Sequence, residues 1–229
     1  MRKAQSAGGG ASSEAVLQLS ALLERYEHHC LRTRSSISAE LKLDILHHID
    51  TQQPLRKITL SFPELEPSDT LPPSLQPLLM AIRDERYTHV QEFHIWSLSL
   101  KQTDVVELCF LMEKRGTTVY PFRLLELLDC RLSEWSMKRL GKALATGYLT
   151  TLCLDYTHVG QEGLKGLLSG GLGSRQICSL SLCYCGLGSW SGTLLASLLT
   201  NSPVSCLCVL MGHGVQEKKG VDPHKMKLF

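Results

Sequence analysis

Nine cysteines and nine histidines are the chain's main ligating and nucleophilic groups. Cys183-x-Cys185 and Cys206-x-Cys208 have the look of two half-sites for zinc, which takes four thiolate or imidazole ligands at tetrahedral angles. His28-His29-Cys30 and His47-His48 add ligand types, but neighbours on a helix diverge by about 100°. These histidines are therefore expected on the surface or in a cap. Gly170-Gly171-Leu172-Gly173 is rich in glycine, as phosphate cradles are. It closes a helical pattern ahead of a strand, the reverse of the order a phosphate loop needs, so helix termination is its expected role. There is no G-x-S-x-G elbow, H-E-x-x-H helix or Walker lysine, and no spacing joins Ser, His and Asp into a triad. The chain is not expected to be an enzyme.

Whether the thiols converge depends on the elements that carry them, and those elements repeat. One phrase returns four times: Phe122, Leu125, Leu127, Cys130, Leu132; Leu149, Leu152, Leu154, Thr157, Val159; Ile177, Leu180, Leu182, Cys185, Leu187; and Val204, Leu207, Val209. Two looser copies precede them, Leu55, Ile58, Leu60, Pro63, Leu65 and Val90, Phe93, Ile95, Leu98, Leu100. After the strand phrases, apolar or small residues recur at four-residue steps, which lie on one helix face. From Leu100 these are Asp104, Leu108, Met112; from Leu132, Ser136, Leu140, Leu144; from Val159, Gly163, Leu167, Gly171; and from Leu187, Ser191, Leu195, Leu199. Each unit thus reads as one strand plus one helix.

The phrase L-x-x-L-x-L-x-x-(N/C)-x-L, at steps of about 27 or 28 residues, resembles the leucine-rich repeat, and the helical tail resembles its ribonuclease-inhibitor-like subtype. That resemblance implies an α/β fold: a leucine-rich-repeat solenoid, a partial horseshoe with inner parallel strands and outer helices. Stacking is needed because a single repeat cannot bury its own apolar face. Two irregular repeats, three regular ones and one truncated one span residues 55–210. The family places Asn or Cys at a ladder position that bonds neighbouring loops; here the column reads Leu98, Cys130, Thr157, Cys185, Gly212, and Asn201 is the only asparagine. A less regular solenoid follows. The same register turns Cys185 into the core and Cys183 outward, so the four sulfurs cannot converge. No metal and no cofactor are expected.

Outside the repeats, residues 1–12 lack the apolar stretch of a secretory signal and are expected to be disordered. Residues 13–54 form a helical cap, with Ser13 and Ser38 as N-caps and apolar faces at Val16, Leu19, Leu22, Leu23, Tyr26 and at Leu41, Ile45, Ile49. Five prolines between 61 and 77 suggest a stiff loop leading into a helix over 78–86. After Val209 the repeat breaks off, and residues 211–229 read as a polar tail on a shortened product of a longer repeat protein.

A net charge of +2 provides no field for nucleic acid, and no apolar run is long enough to span a membrane. Neither is expected as a partner. Nine cysteines without a signal peptide point to a reducing compartment, the cytoplasm first, with a cilium, flagellum or nucleus also open. On the concave face, columns of residues mix aromatic with acidic side chains: His94, Trp96, Glu126, Leu128, Asp129, Asp155, Tyr156 and Tyr184. Large rigid aromatics beside charge are common anchors in protein interfaces. The expected function is a non-catalytic intracellular scaffold that binds a protein partner there, in a ciliary, flagellar or regulatory assembly. The alternative is a GTPase-activating or ribonuclease-inhibitor-type regulator of an enzyme. Trp135 and Trp190, at one repeat phase, are expected to pack between helices.

Overall fold

A computed structural model of the chain describes residues 9–61, 74–113, 117–172, 176–201 and 203–210. The proline-rich loop from 62 to 73, Gly173, the tail from 211 and Gly212 of the ladder column lie outside them. Two helices, α1 (Gly9–Thr33) and α2 (Ala39–Asp50), precede the first strand. The chain then alternates β1 (Lys57–Ser61), α3 (Leu75–Asp84), β2 (Glu92–Trp96), α4 (Gln102–Met112), β3 (Leu124–Leu128) and α5 (Glu134–Leu144). It continues through β4 (Thr151–Cys153), α6 (Gly160–Leu167), β5 (Ser179–Ser181), α7 (Ser191–Asn201) and β6 (Cys206–Cys208). The six strands form one parallel sheet in chain order. Parallel neighbours need a long crossover, and a helix makes each one here.

Register follows the repeat. Ile58, Phe93, Leu125, Leu152, Leu180 and Leu207 are successive partners across the sheet. All but Leu207 are buried, and along β3 the buried Leu125 and Leu127 alternate with half-exposed Leu124, Glu126 and Leu128. One sheet face therefore closes on the apolar core and the other stays open, as strand alternation requires. The expected helix positions are buried at Asp104, Leu108, Met112, Ser136, Leu140, Leu144, Gly163, Leu167, Ser191 and Leu195. Leu199 departs from the pattern. It is 47% exposed, and Leu198, one residue earlier, is buried in its place. Trp190 packs on the core, but Trp135 is 45% exposed, so the two tryptophans do not share one packing role.

Three boundaries differ from the sequence reading. The first helix starts at Gly9, within the stretch expected to be disordered, which leaves Ser13 inside the helix and not at its cap. Ser38 does cap α2, its Oγ accepting from Leu41 N–H at 3.3 Å. Helix α3 starts at Leu75, with Pro77 in its first turn, where a missing N–H breaks no helical bond. The glycine run at 170 continues α6 as a π-helical turn, Leu168–Leu172. A Cβ on Gly170 would lie 2.5 Å from the Gly141 carbonyl carbon, and one on Gly141 would lie 2.6 Å from Leu167 O. These glycines thus let α5 and the segment after α6 approach backbone to backbone, a packing role in place of termination.

Beyond the strand ends a second, buried ladder links neighbouring units. Thr157 Oγ1 donates to Leu127 O at 2.7 Å and accepts from Cys130 N–H at 3.0 Å. The Cys130 thiol reaches back to Ile95 O at 3.3 Å, and the Cys185 thiol to Leu154 O at 2.9 Å. Burial pushes the Cys130 thiol up to about 12 and raises Cys185 further still. Both remain protonated donors at neutral pH. Leu98, at the head of the column, is buried and carries no polar group. Helices α3 and α4 are joined differently: the buried Asp104 carboxylate accepts from Gln76 N–H at 2.9 Å and from Lys101 N–H at 2.7 Å, tying their first turns together.

Two outcomes follow. Thr157→Val removes both ladder bonds while nearly preserving volume, leaving a buried N–H and C=O without this partner; it should lower unfolding free energy by roughly 2–4 kcal/mol. A loss below about 1 kcal/mol in urea denaturation would remove the ladder from the stabilising interactions. Burial raises the Asp104 carboxyl above its ordinary value, against the pull of its backbone donors. Because the folded value exceeds the unfolded one, its contribution is fully present below the ordinary carboxylate range and is lost as pH rises through the raised value. Relative to Asp104→Asn, the parent should thus gain stability as pH falls through that window; a flat difference across it would contradict the assignment.

Candidate functional site

The open face of the sheet collects polar side chains because period-two strands leave it facing away from the core. Its central row, set by register, runs Thr59, His94, Glu126, Cys153, Ser181, Cys208. Glu126 is the pivot at the β2–β3 end. Its Oε1 accepts from Trp96 Nε1 at 2.5 Å and lies 3.1 Å from His94 Nδ1. His94 Nε2 lies 3.3 Å from Glu92 Oε2, so the imidazole sits between two carboxylates. His94 is only 8% exposed, with its ring set edge-to-face on Trp96. It cannot serve as an exposed contact residue, contrary to the sequence reading; Glu92 and Trp96 of its own strand and Glu126 of the next lie against the ring.

Asp155 is likewise engaged internally. One carboxylate oxygen accepts from Ser181 Oγ at 2.7 Å and from Cys183 N–H at 2.8 Å. Its first role is to bridge β4 to the chain leaving β5. Cys153 lies half-buried beside it, and burial pushes that thiol up to about 12, with Asp155 and Glu126 adding to the rise. Leu128 is half-buried, whereas Asp129 is exposed and accepts from Ser97 Oγ at 3.3 Å.

Tyr156 and Tyr184 stack with centroids 4.9 Å apart and planes 16° from parallel. Tyr184 is 45% exposed and Tyr156 half-buried. Burial, then the neighbouring Tyr184 and Asp155, raises the Tyr156 hydroxyl above its ordinary value, so it stays protonated at physiological pH. The stack depends on a backbone feature that the residue types do not advertise. Ser97, Asp129, Tyr156 and Tyr184 all take left-handed φ, between 51° and 58°, at the same point after successive strands. Their N–H groups donate to Leu128, Asp155, Cys183 and Leu210 carbonyls at 2.8–3.0 Å, continuing the sheet's bonding past its strands. Aspartate tolerates this region, but tyrosine pays a steric penalty in it. Met211, the fifth member of the column, lies outside the described residues.

Strand alternation also places Ser97, Ser181 and Cys183 on this surface, but it gives no sign of the bonds they make there. Their hydrogen bonds join units 26 to 32 residues apart, and no local pattern announces them. Of the cysteine half-sites, Cys185 turns inward, while Cys183 meets Cys208 across the strands with sulfurs 3.3 Å apart. No group of three or more His, Cys, Asp or Glu among the described residues is placed to hold a metal ion. Of the adjacent histidines, expected on the surface or in the cap, His29 is a buried residue of the cap helix α1, with Nε2 2.9 Å from Asp84 Oδ2 at the α1–α3 contact. No helix among the described residues is long and apolar enough to cross a membrane.

Compared with known proteins, the chain matches no protein-family model and no curated protein.

The left-handed column is open to a direct check. Asp129→Val places a β-branched residue at φ 51° on an exposed site and should cost about 1–2 kcal/mol of stability, whereas Asp129→Gly should stay within roughly 0.5 kcal/mol of the parent. Equal effects of the two substitutions would show that the backbone relaxes freely there.

Proposed function

We propose that this chain is a leucine-rich-repeat solenoid of the ribonuclease-inhibitor-like kind, working as a non-catalytic scaffold that binds a protein partner on the open, concave face of its sheet. The observation that carries the reading is the Tyr156–Tyr184 stack, with Tyr184 exposed and Tyr156 half-buried, bordered by Asp129 and Asp155. Two rigid rings already stacked lose little conformational freedom on binding, and truncation of such anchors dominates interface energetics. The acidic neighbours favour a partner with basic groups around an apolar contact. Register at 58, 93, 125, 152, 180 and 207 supports the repeat reading, as does the thiol and hydroxyl ladder. Nine free thiols fit a reducing compartment, the cytoplasm first.

The test is affinity capture with mass spectrometry, comparing the parent with the Tyr156→Ala/Tyr184→Ala double variant and confirming recovered partners with purified components. Losing the stack should weaken the partner by about 1–4 kcal/mol. The secondary structure by circular dichroism should be unchanged. Leu152→Ala and Leu180→Ala, both fully buried, should instead each cost roughly 2–5 kcal/mol of stability through cavity formation. A double tyrosine variant that binds as tightly as the parent would move the active surface elsewhere.

A further inference from the structure

The thiols of Cys183 and Cys208 stand apart from the other seven. Their sulfurs lie 3.3 Å apart although they are 25 positions apart in sequence. The backbone on either side of the contact is tied across the same two segments, Leu182 N–H to Cys208 O and Tyr184 N–H to Leu210 O, both at 2.8 Å. The pair is thus held in place by the sheet and not brought together by chance motion of a loop. Closing to a disulfide requires the sulfurs to approach by only about 1.3 Å, within reach of a small side-chain rotation. Accessibility divides the roles: Cys208 is exposed and Cys183 is buried. The remaining thiols lack such a partner arrangement. Cys185 and Cys130 are bonded to carbonyls inside the core, and Cys178 and Cys206 are exposed.

We propose that Cys183 and Cys208 form a reversible redox site, oxidised to an intramolecular disulfide by a low-molecular-weight disulfide of the glutathione type. The Cys208 thiolate attacks one sulfur of the oxidant, forming a mixed disulfide and releasing one molecule of thiol. Cys183, as thiolate, then attacks the Cys208 sulfur of that mixed disulfide, forming the protein bridge and releasing the second. Two protein thiols and one oxidant disulfide thus become one protein disulfide and two small thiols, and the same exchange run backwards restores the reduced pair. Burial and the neighbouring Cys208 hold the Cys183 thiol above its ordinary value, which disfavours it as the thiolate that attacks the oxidant first. The bridge would clamp β6 to the segment after β5 that carries Tyr184. This assignment does not depend on the partner-binding reading.

The test uses the full chain, incubated with oxidised glutathione at a defined ratio to reduced glutathione, then alkylated and mapped by non-reducing peptide mass spectrometry. The parent should lose two titratable thiols together and yield a peptide linked through Cys183 and Cys208. Cys206→Ser should behave as the parent. Cys183→Ser should stop at a stable glutathione adduct on Cys208, and Cys208→Ser, altered at an exposed position, should fold and form no bridge to Cys183. Hydrogen exchange at Leu182 and Tyr184 should slow in the oxidised parent and return to its initial rate after reduction. Persistence of both thiols across the oxidising range overturns the proposal, as does a bridge from Cys208 to Cys206, to Cys178 or to a second chain.

Discussion

The whole arrangement depends on keeping each strand in register with the next, one unit of roughly 30 residues later, and the buried ladder at Cys130, Thr157 and Cys185 is the interaction that does this. Apolar packing of Leu125, Leu152 and Leu180 draws the units together, but apolar contact is not directional. A hydroxyl or thiol that must find the carbonyl of the preceding unit in the absence of water is directional, and a missed bond leaves buried polar groups unsatisfied. Thr157 is the strictest member because it both donates and accepts. Leu98 has no side-chain group to take part, and the bridge between Ser99 and Arg131 adds a backbone link between the same two units that the Cys130 thiol joins.

Register in turn determines what the open face can present. Because every strand stops within three to five residues, the bonding between units passes to the left-handed column of Ser97, Asp129, Tyr156 and Tyr184. The N–H of each reaches the next segment's carbonyl, so the backbone turns outward at the same point in successive units. Two tyrosines are thereby placed one above the other at stacking distance. The strain of a tyrosine in that region is offset by the hydrogen bond its backbone gains and by the contact between the rings. Charge on the face is less free than its composition suggests. Glu126 is committed to Trp96 and His94, and one oxygen of Asp155 to the chain leaving β5. Asp129 is the more available acidic group beside the rings.

The two ends of the sheet are organised by different chemistry. At the β1 end, buried tyrosines supply the links. Tyr87 both accepts from Leu55 N–H and donates to Leu55 O, and Tyr26 accepts from Ser38 N–H at the start of α2. Burial raises both hydroxyls, Tyr87 to about 12 and Tyr26 beyond that, so both stay neutral donors and acceptors. Toward β6, cover thins: Leu207 is only partly buried and Cys206 and Cys208 are exposed. The Cys183–Cys208 contact lies at this less covered end, where a covalent link has most to add.

The spacing of apolar residues specifies the number of strands, their parallel alternation with helices and the residues that meet across the sheet. Periodicity carries that information directly: a side chain's face is set by its position within a strand or helix turn, so Ile58, Phe93, Leu125, Leu152, Leu180 and Leu207 align from their spacing alone. The remaining features arise only when the units stack. His29 is buried where α1 meets α3, and His94 among the side chains of Glu92, Trp96 and Glu126. Gly170 packs because α5 lies against it. Asp155 is engaged because Ser181 and Cys183, a unit away in sequence, arrive beside it. Backbone hand at Tyr156 and Tyr184, and the 3.3 Å approach of two sulfurs 25 positions apart, likewise leave no local trace. Such features depend on the distance between units after stacking, and a one-dimensional pattern specifies which residues face one another without specifying how closely they meet.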